Sequence, residues 1–318
     1  MSKLYSIGEL LIDFQSVGTG GLKDTDQFVK KAGGAPANVC AQASKLGVET
    51  CYLTKVGDDG FGEFLIDSLG RLGVDTTFIQ KDKERNTSLA FVSLREDGER
   101  EFSFYRTEAA DLAFVPEDFA KVNFHKGDIL EFGSVALASA SARATHDFLI
   151  EKAKKAGALV AFDPNLRFNL WKDKEELKAI VRRYIQDADI IKMGEDELEF
   201  ITGLPLEKGV AFVLDSGCKV LLLTRGAKGA SLYLRQGHYD CPGYKVRAID
   251  ATGAGDSFFG AFLALLLRQG NVGRDIDTPS PTYQAMLEFA CKAGAYTTTN
   301  YGAIPAMGDL NSIERTVK

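Results

Sequence analysis

Short apolar runs alternate along the chain with longer stretches in which apolar residues recur every three to four positions. The short runs predict strands at 3–14, 51–56, 128–132, 158–163, 189–193, 219–224 and 230–234. Ile129-Leu130 and Val220-Leu221-Leu222-Leu223 are continuously apolar, as in strands buried on both faces. The longer stretches predict helices at 35–46, 61–72, 141–156, 173–186, 195–202, 255–268 and 283–297. Pro36 falls in a first turn, and Gly47, Gly73 and Gly157 stand where three of these helices stop. In 141–156, Thr145, Phe148, Leu149, Ala153 and Ala156 share one face. Such alternation predicts an α/β protein with a central, mostly parallel sheet flanked by helices. One stretch, 87–106, breaks the rhythm. Asp97-Gly98 between two alternating segments signals a hairpin, which with 12–29 predicts a small second sheet placed as a lid.

Length and composition narrow the classes. A chain of 318 residues accommodates two ordinary domains or one large α/β domain. With 45% hydrophobic and 26% charged residues, disorder and fibrous repeats are excluded. The net charge of −6 argues against a nucleic-acid partner but not against a pocket for one small anion. Five cysteines without a Cys-x-x-Cys pair, and three histidines without ligand spacing, predict neither a disulfide framework nor a zinc centre. The apolar run 258–267, interrupted by Gly260, is too short for a bilayer, and the first residues lack a signal-peptide core. A soluble cytoplasmic protein with no membrane partner is expected. The 32 glycines against 8 prolines point to tight turns and close backbone approaches.

Asp250-Ala251-Thr252-Gly253-Ala254-Gly255-Asp256-Ser257 before an apolar helix is the strongest chemical signal. Bare backbone N–H groups of Gly253, Ala254 and Gly255 at a helix N-terminus form an anion hole suited to a transferring phosphoryl group. Asp256, at the helix start, reads either as a base that orients an attacking hydroxyl and takes its proton, or as a helix cap. In Lys31-Ala32-Gly33-Gly34-Ala35-Pro36-Ala37-Asn38, two glycines precede a second helix. They read as a floor where a polyhydroxyl ligand touches the backbone beside Asn38, or as a plain loop and cap. Neither segment is a G-x-x-x-x-G-K-[ST] loop or a G-x-G-x-x-G fingerprint, which disfavours a P-loop NTPase or a nicotinamide-dependent oxidoreductase.

Gly33-Gly34-Ala35-Pro36-Ala37-Asn38, followed by Gly47 and Gly57-Asp58-Asp59-Gly60-Phe61-Gly62, resembles the N-terminal signature of the ribokinase-like (PfkB) carbohydrate kinases. Asp250 to Asp256 resembles their C-terminal signature, with Ala251 where threonine is usual. The resemblance covers nearly the whole chain. It implies one kinase domain over 1–318, with a β lid formed by about 12–30 and 87–107 that closes over the sugar, excludes water and often joins in dimerisation. It implies ATP and Mg²⁺ as cofactors.

Three passages resemble fructokinases: Gly8-Glu9-Leu10-Leu11-Ile12-Asp13-Phe14, Asp97 to Arg106, and Asp163-Pro164-Asn165-Leu166-Arg167 with Leu170-Trp171. They imply Asp13 on paired sugar hydroxyls, Tyr105 and Arg106 reaching down from the lid, and Arg167 as a forked donor. Without the resemblance, Tyr105 and Arg106 read equally as solvated surface, and Trp171 reads as packing. Fructose is the expected substrate. The alternatives are 2-keto-3-deoxygluconate, whose acid group calls for a cation such as Arg106 or Arg167, and a non-catalytic sugar or nucleotide sensor of the same fold.

On the nucleotide side, Lys192-Met193-Gly194-Glu195-Asp196-Glu197 resembles the family's Asn-x-x-Glu motif. Glu197 takes the glutamate place, serving Mg²⁺ through water, and Gly194 stands where asparagine is common. Acids at 195–197 also read as ordinary helix-start residues. Thr224-Arg225-Gly226-Ala227-Lys228-Gly229-Ala230 resembles the nucleotide loop, or reads as a hairpin turn. The stretch 293–303, with Asn300 and Gly302, resembles the adenine and monovalent-cation region, which raises K⁺ as a further cofactor.

Overall fold

The computed structural model describes residues 2–94, 100–171, 173–270 and 276–317. In chain order the elements are β1 (Leu4–Ile7), β2 (Leu11–Thr19), β3 (Phe28–Gly33), α1 (Ala35–Lys45), β4 (Thr50–Gly57), α2 (Gly60–Gly70), β5 (Ile79–Asp82), β6 (Leu89–Leu94) and β7 (Arg100–Tyr105). Then come β8 (Ile129–Gly133), α3 (Ala140–Ala156), β9 (Leu159–Asp163), α4 (Lys174–Ile185), β10 (Ile190–Gly194), α5 (Glu195–Thr202), α6 (Leu206–Asp215) and β11 (Val220–Thr224). The chain ends with β12 (Gly229–Leu234), β13 (Gly237–Pro242), α7 (Ala254–Arg268), α8 (Pro281–Thr297) and α9 (Leu310–Thr316).

Nine strands form the main sheet in the order β13-β12-β11-β10-β9-β8-β1-β4-β5. From β11 to β5 every pairing is parallel, and β12 and β13 close one edge antiparallel. The apolar runs explain the burial: β8, β9 and β11 offer side chains to both faces, each covered by helices. On one face Leu130, Val160 and Leu221 pack with Leu149 of α3, Val181 of α4, Leu198 of α5 and Val213 of α6. On the other, Ile129, Leu159 and Val220 pack with Val39 of α1, Phe262 of α7, Leu287 of α8 and Ile313 of α9.

The small sheet has the order β3-β2-β6-β7, with β2 and β6 parallel and the outer pairs antiparallel. It is the second sheet expected from 12–29 and 87–106, while the Asp97-Gly98 turn lies outside the described residues.

The expected strand at 3–14 is two strands in different sheets. The chain leaves the ladder at Gly8 and Glu9, whose carbonyls accept hydrogen bonds from Thr54 Oγ1 (2.7 Å) and Tyr52 OH (2.6 Å). Pro36 fills the space beside Gly8, where a Cβ would lie 2.7 Å from its ring. Also unforeseen were β5, β13, α6 and α9.

Candidate active site

The parallel strands end together, so their C-terminal tips and the following helix starts surround one region, where open α/β sheets bind ligands. α7 begins there. Gly253 stands at its N-cap with φ +75°, and a Cβ on it would lie 2.7 Å from that of Ala303. Asp256 sits buried in the first turn. It does not cap its own helix; its Oδ2 accepts a 2.8 Å hydrogen bond from Asn38 Nδ2 of α1. The two helices lie close because position 260 is glycine: a Cβ there would meet Val39 O at 2.5 Å. Ser257 Oγ on Gln42 Oε1 (2.8 Å) fastens the same seam.

Lys192, in the middle of β10, extends to the same turn. A Cβ on Gly255 would lie 3.0 Å from its ammonium. The ammonium also pairs with Asp163 Oδ2 of β9 at 2.8 Å. Burial works against the Lys192 charge, but Asp163, Glu197 and Asp256 outweigh it and hold its pKa above the ordinary lysine value. Burial pushes Asp163 up to about 7, against the pull of Lys192. Asp256 is likewise raised by burial, with Lys192, Asn38 and Arg167 pulling it back. The result is a buried carboxylate more basic than usual beside a fixed cation and a helix N-terminus.

Opposite lies the proposed sugar floor. A Cβ at Gly33 would fall 2.1 Å from Asp13 Oδ2, so the carboxylate rests directly on glycine backbone. Gly34, with φ +118°, lies against Glu9 O, which a Cβ would meet at 2.2 Å. Glu9 is buried with Oε1 on Ala35 N (2.9 Å), holding the start of α1. Burial raises its pKa to about 7, against the pull of Arg106.

Arg106 is brought beneath the small sheet but is committed there. Its Nε donates to Asp111 Oδ2 (2.9 Å) and a terminal nitrogen to Val135 O (3.3 Å). Tyr105 is not brought to this cluster. Register pairs Asp13 with Ala90 and Ala90 with Phe104, while Tyr105 pairs with Leu89 and Leu89 with Ile12. Tyr105 therefore leaves the other face of the small sheet, against Phe91, and is 65% exposed. Tyr105 and Asp13 thus lie on opposite faces of the small sheet.

Arg167 is exposed in the loop after β9, near enough to Asp256 to lower its pKa. Glu197 binds two backbone amides, Leu166 N through Oε1 (2.7 Å) and Gly194 N through Oε2 (2.8 Å), tying α5 to that loop. Thr224, Gly226 and Gly229 form the turn between β11 and β12, so the hairpin reading and the loop reading describe the same residues. Asn300 is exposed, and its neighbour Gly302 donates to Asp250 Oδ2 (2.9 Å). In the sequence Asp163 and Glu9 stand out only as parts of motifs; their roles emerge from partners on other strands and helices. Among the described residues no three His, Cys, Asp or Glu side chains form a metal cluster.

Residues 1–309 match the model of the pfkB family carbohydrate kinases. The chain is 39% identical over 307 residues to fructokinase-2 of Solanum lycopersicum, covering 96% of this chain and 92% of that one. A fructokinase of Vibrio cholerae O395, solved as a double mutant in a fructose-, ADP- and potassium-bound form, superposes with a TM-score of 0.89. It is 33% identical, with 100% of this chain and 99% of that chain covered. The fructokinase of Xylella fastidiosa with bound ATP also gives a TM-score of 0.89, at 30% identity, covering 99% of this chain and 97% of that chain. The fold, the glycine-lined turn and these relatives agree: the chain belongs to the PfkB family of carbohydrate kinases and is a phosphotransferase acting on a sugar hydroxyl.

Proposed function

We propose that the protein transfers the γ-phosphoryl group of ATP to the 6-hydroxyl of fructose, with Asp256 as general base. The observation that carries this reading is the Asn38–Asp256 hydrogen bond, which fixes a raised-pKa carboxylate between the anion-binding turn and the Asp13–Gly33 floor. Asp256 takes the hydroxyl proton as the oxygen attacks. The amides of Gly253, Ala254 and Gly255, at the positive end of α7, stabilise charge on the phosphoryl oxygens, and Lys192 adds a point charge beside Gly255. Asp13, Gly33, Gly34 and Asn38 hold the sugar, with Arg167 at the rim. Thr224, Gly226, Gly229 and Asn300 flank the nucleotide.

Glu197 fits Mg²⁺ held through water, because both its oxygens are already on backbone amides and retain lone pairs for a second partner. When bound, Mg²⁺ neutralises phosphate charge. The loop bearing Asn300 and Gly302 is our candidate for a K⁺ requirement, in keeping with the potassium ion of the Vibrio cholerae relative. The Arg106 charge is already paired with Asp111, which favours a neutral sugar over an acid. Val29 and Phe102, 51% and 44% exposed, lie in one cross-strand row of the small sheet and support a homodimer formed through it.

A coupled assay with ATP, Mg²⁺ and fructose tests the reading. ADP release with fructose, weaker with 2-keto-3-deoxygluconate, is expected. Asp256→Asn should lower kcat by about 10²–10⁴-fold while fructose still binds. Near-normal turnover in that variant overturns the base, and no ADP from any sugar favours a sensor.

A further inference from the structure

Lys31 stands on β3 directly opposite Asp13, so both side chains leave the same face of the small sheet. Its Nζ donates to Gln15 Oε1 at 2.6 Å, the next residue of β2 on that face. From there the ammonium crosses to the far side of the site. A Cβ on Gly302 would lie 2.9 Å from Nζ and 3.1 Å from Cδ of Lys31. With φ +92°, Gly302 suits glycine twice over, by conformation and by the lysine resting on it.

Gly302 leads straight to the anion-binding turn. Its N–H donates to Asp250 Oδ2 (2.9 Å), and Asp250 Oδ1 accepts from the N–H (2.9 Å) and hydroxyl (2.6 Å) of Thr252. The next residue is Gly253, where a Cβ would lie 2.7 Å from that of Ala303, the neighbour of Gly302. One unbroken line of contacts therefore runs from the strand facing Asp13, through Lys31, to the amides at the start of α7. The line has two loop crossings, Lys31 to Gly302 and Ala303 to Gly253, and each is a close approach to a glycine with positive φ.

We propose that Lys31 is a positioning residue that couples the sugar floor to the phosphate-binding turn, so that sugar and nucleotide each tighten the other's binding through this side chain. The inference rests on the proposed reading, in which sugar lies at Asp13 and phosphate at Gly253, Ala254 and Gly255. A sugar held by Asp13 steadies β2 and β3 and therefore Nζ. Nζ steadies Gly302, and the Asp250 bonds transmit that order to Thr252 and Gly253. Ordering the turn beforehand removes part of the cost of binding phosphate. Linkage requires the same factor in the reverse direction.

The test uses calorimetric titration of ADP in magnesium buffer with and without saturating fructose, and of fructose with and without ADP. No turnover occurs in this mixture. For the unaltered protein, fructose should tighten ADP about fivefold or more, and ADP should tighten fructose by the same factor. In Lys31→Ala and Lys31→Met the factor should fall toward one, while ADP affinity measured alone changes less than about twofold. Lys31→Arg should restore part of it. A merely structural lysine would weaken both ligands alone and leave their ratio intact; that pattern, or full coupling in both variants, overturns the proposal. If the unaltered protein binds neither ADP nor fructose, the sugar-kinase reading itself fails, and the coupling with it.

Discussion

Asn38 Nδ2 donates to Asp256 Oδ2 across 2.8 Å, joining α1 and α7 at the point where each presents its first turn. The proposed sugar floor and the proposed base are thus held by one bond.

That bond sets a pH dependence. Burial chiefly raises the Asp256 pKa, and Asn38 is among the groups that pull it back. Asn38→Ala should raise it further. Since the proposed base acts in its ionised form, the acidic limb of the kcat profile should move to higher pH. An unmoved limb would show that Asn38 does not act on the base.

Glu9 offers a stability test. Its pKa rises from 4.5 to about 7 on folding, so its favourable contribution is complete below 4.5 and lost as pH rises through 7. Glu9→Gln removes that titration. Relative to this variant, the unaltered ligand-free protein should lose on the order of 3 kcal/mol between pH 4.5 and 8, read from urea midpoints. A constant difference across the range would refute it.

Gly33→Ala places a methyl group within 2.1 Å of Asp13 Oδ2 as it now stands. The carboxylate must move, so KM for fructose should rise about tenfold or more, with KM for ATP nearly unchanged. Equal changes in both constants would separate Asp13 from the sugar.

For the homodimer, Phe102→Glu puts a charge in the row shared with Val29. Light scattering should report a dimer for the unaltered protein and a monomer for the variant. A monomer in both removes the dimer proposal.

Much of this architecture was legible before any coordinates. Val220-Leu221-Leu222-Leu223 reads as a strand covered on both faces, and the glycine-lined turn before 258–267 marks the proposed anion site. What escaped depends on distant partners. The break at Gly8 is made by Tyr52, Thr54 and Pro36, none of them adjacent in the chain. Period-two alternation separates Tyr105 from Phe104 but does not say which of them faces Asp13; only the register of β2, β6 and β7 decides that. Asp163 acquires its meaning from Lys192 on the next strand.

Gly260 lies one helical turn beyond Asp256 and carries no chemistry of its own. Yet a single methyl group there would strike Val39 O, in the residue beside Asn38, and wedge the two helices apart. The Asn38–Asp256 bond therefore depends on an empty volume one turn away. A purely steric position thus tunes the setting of the proposed base.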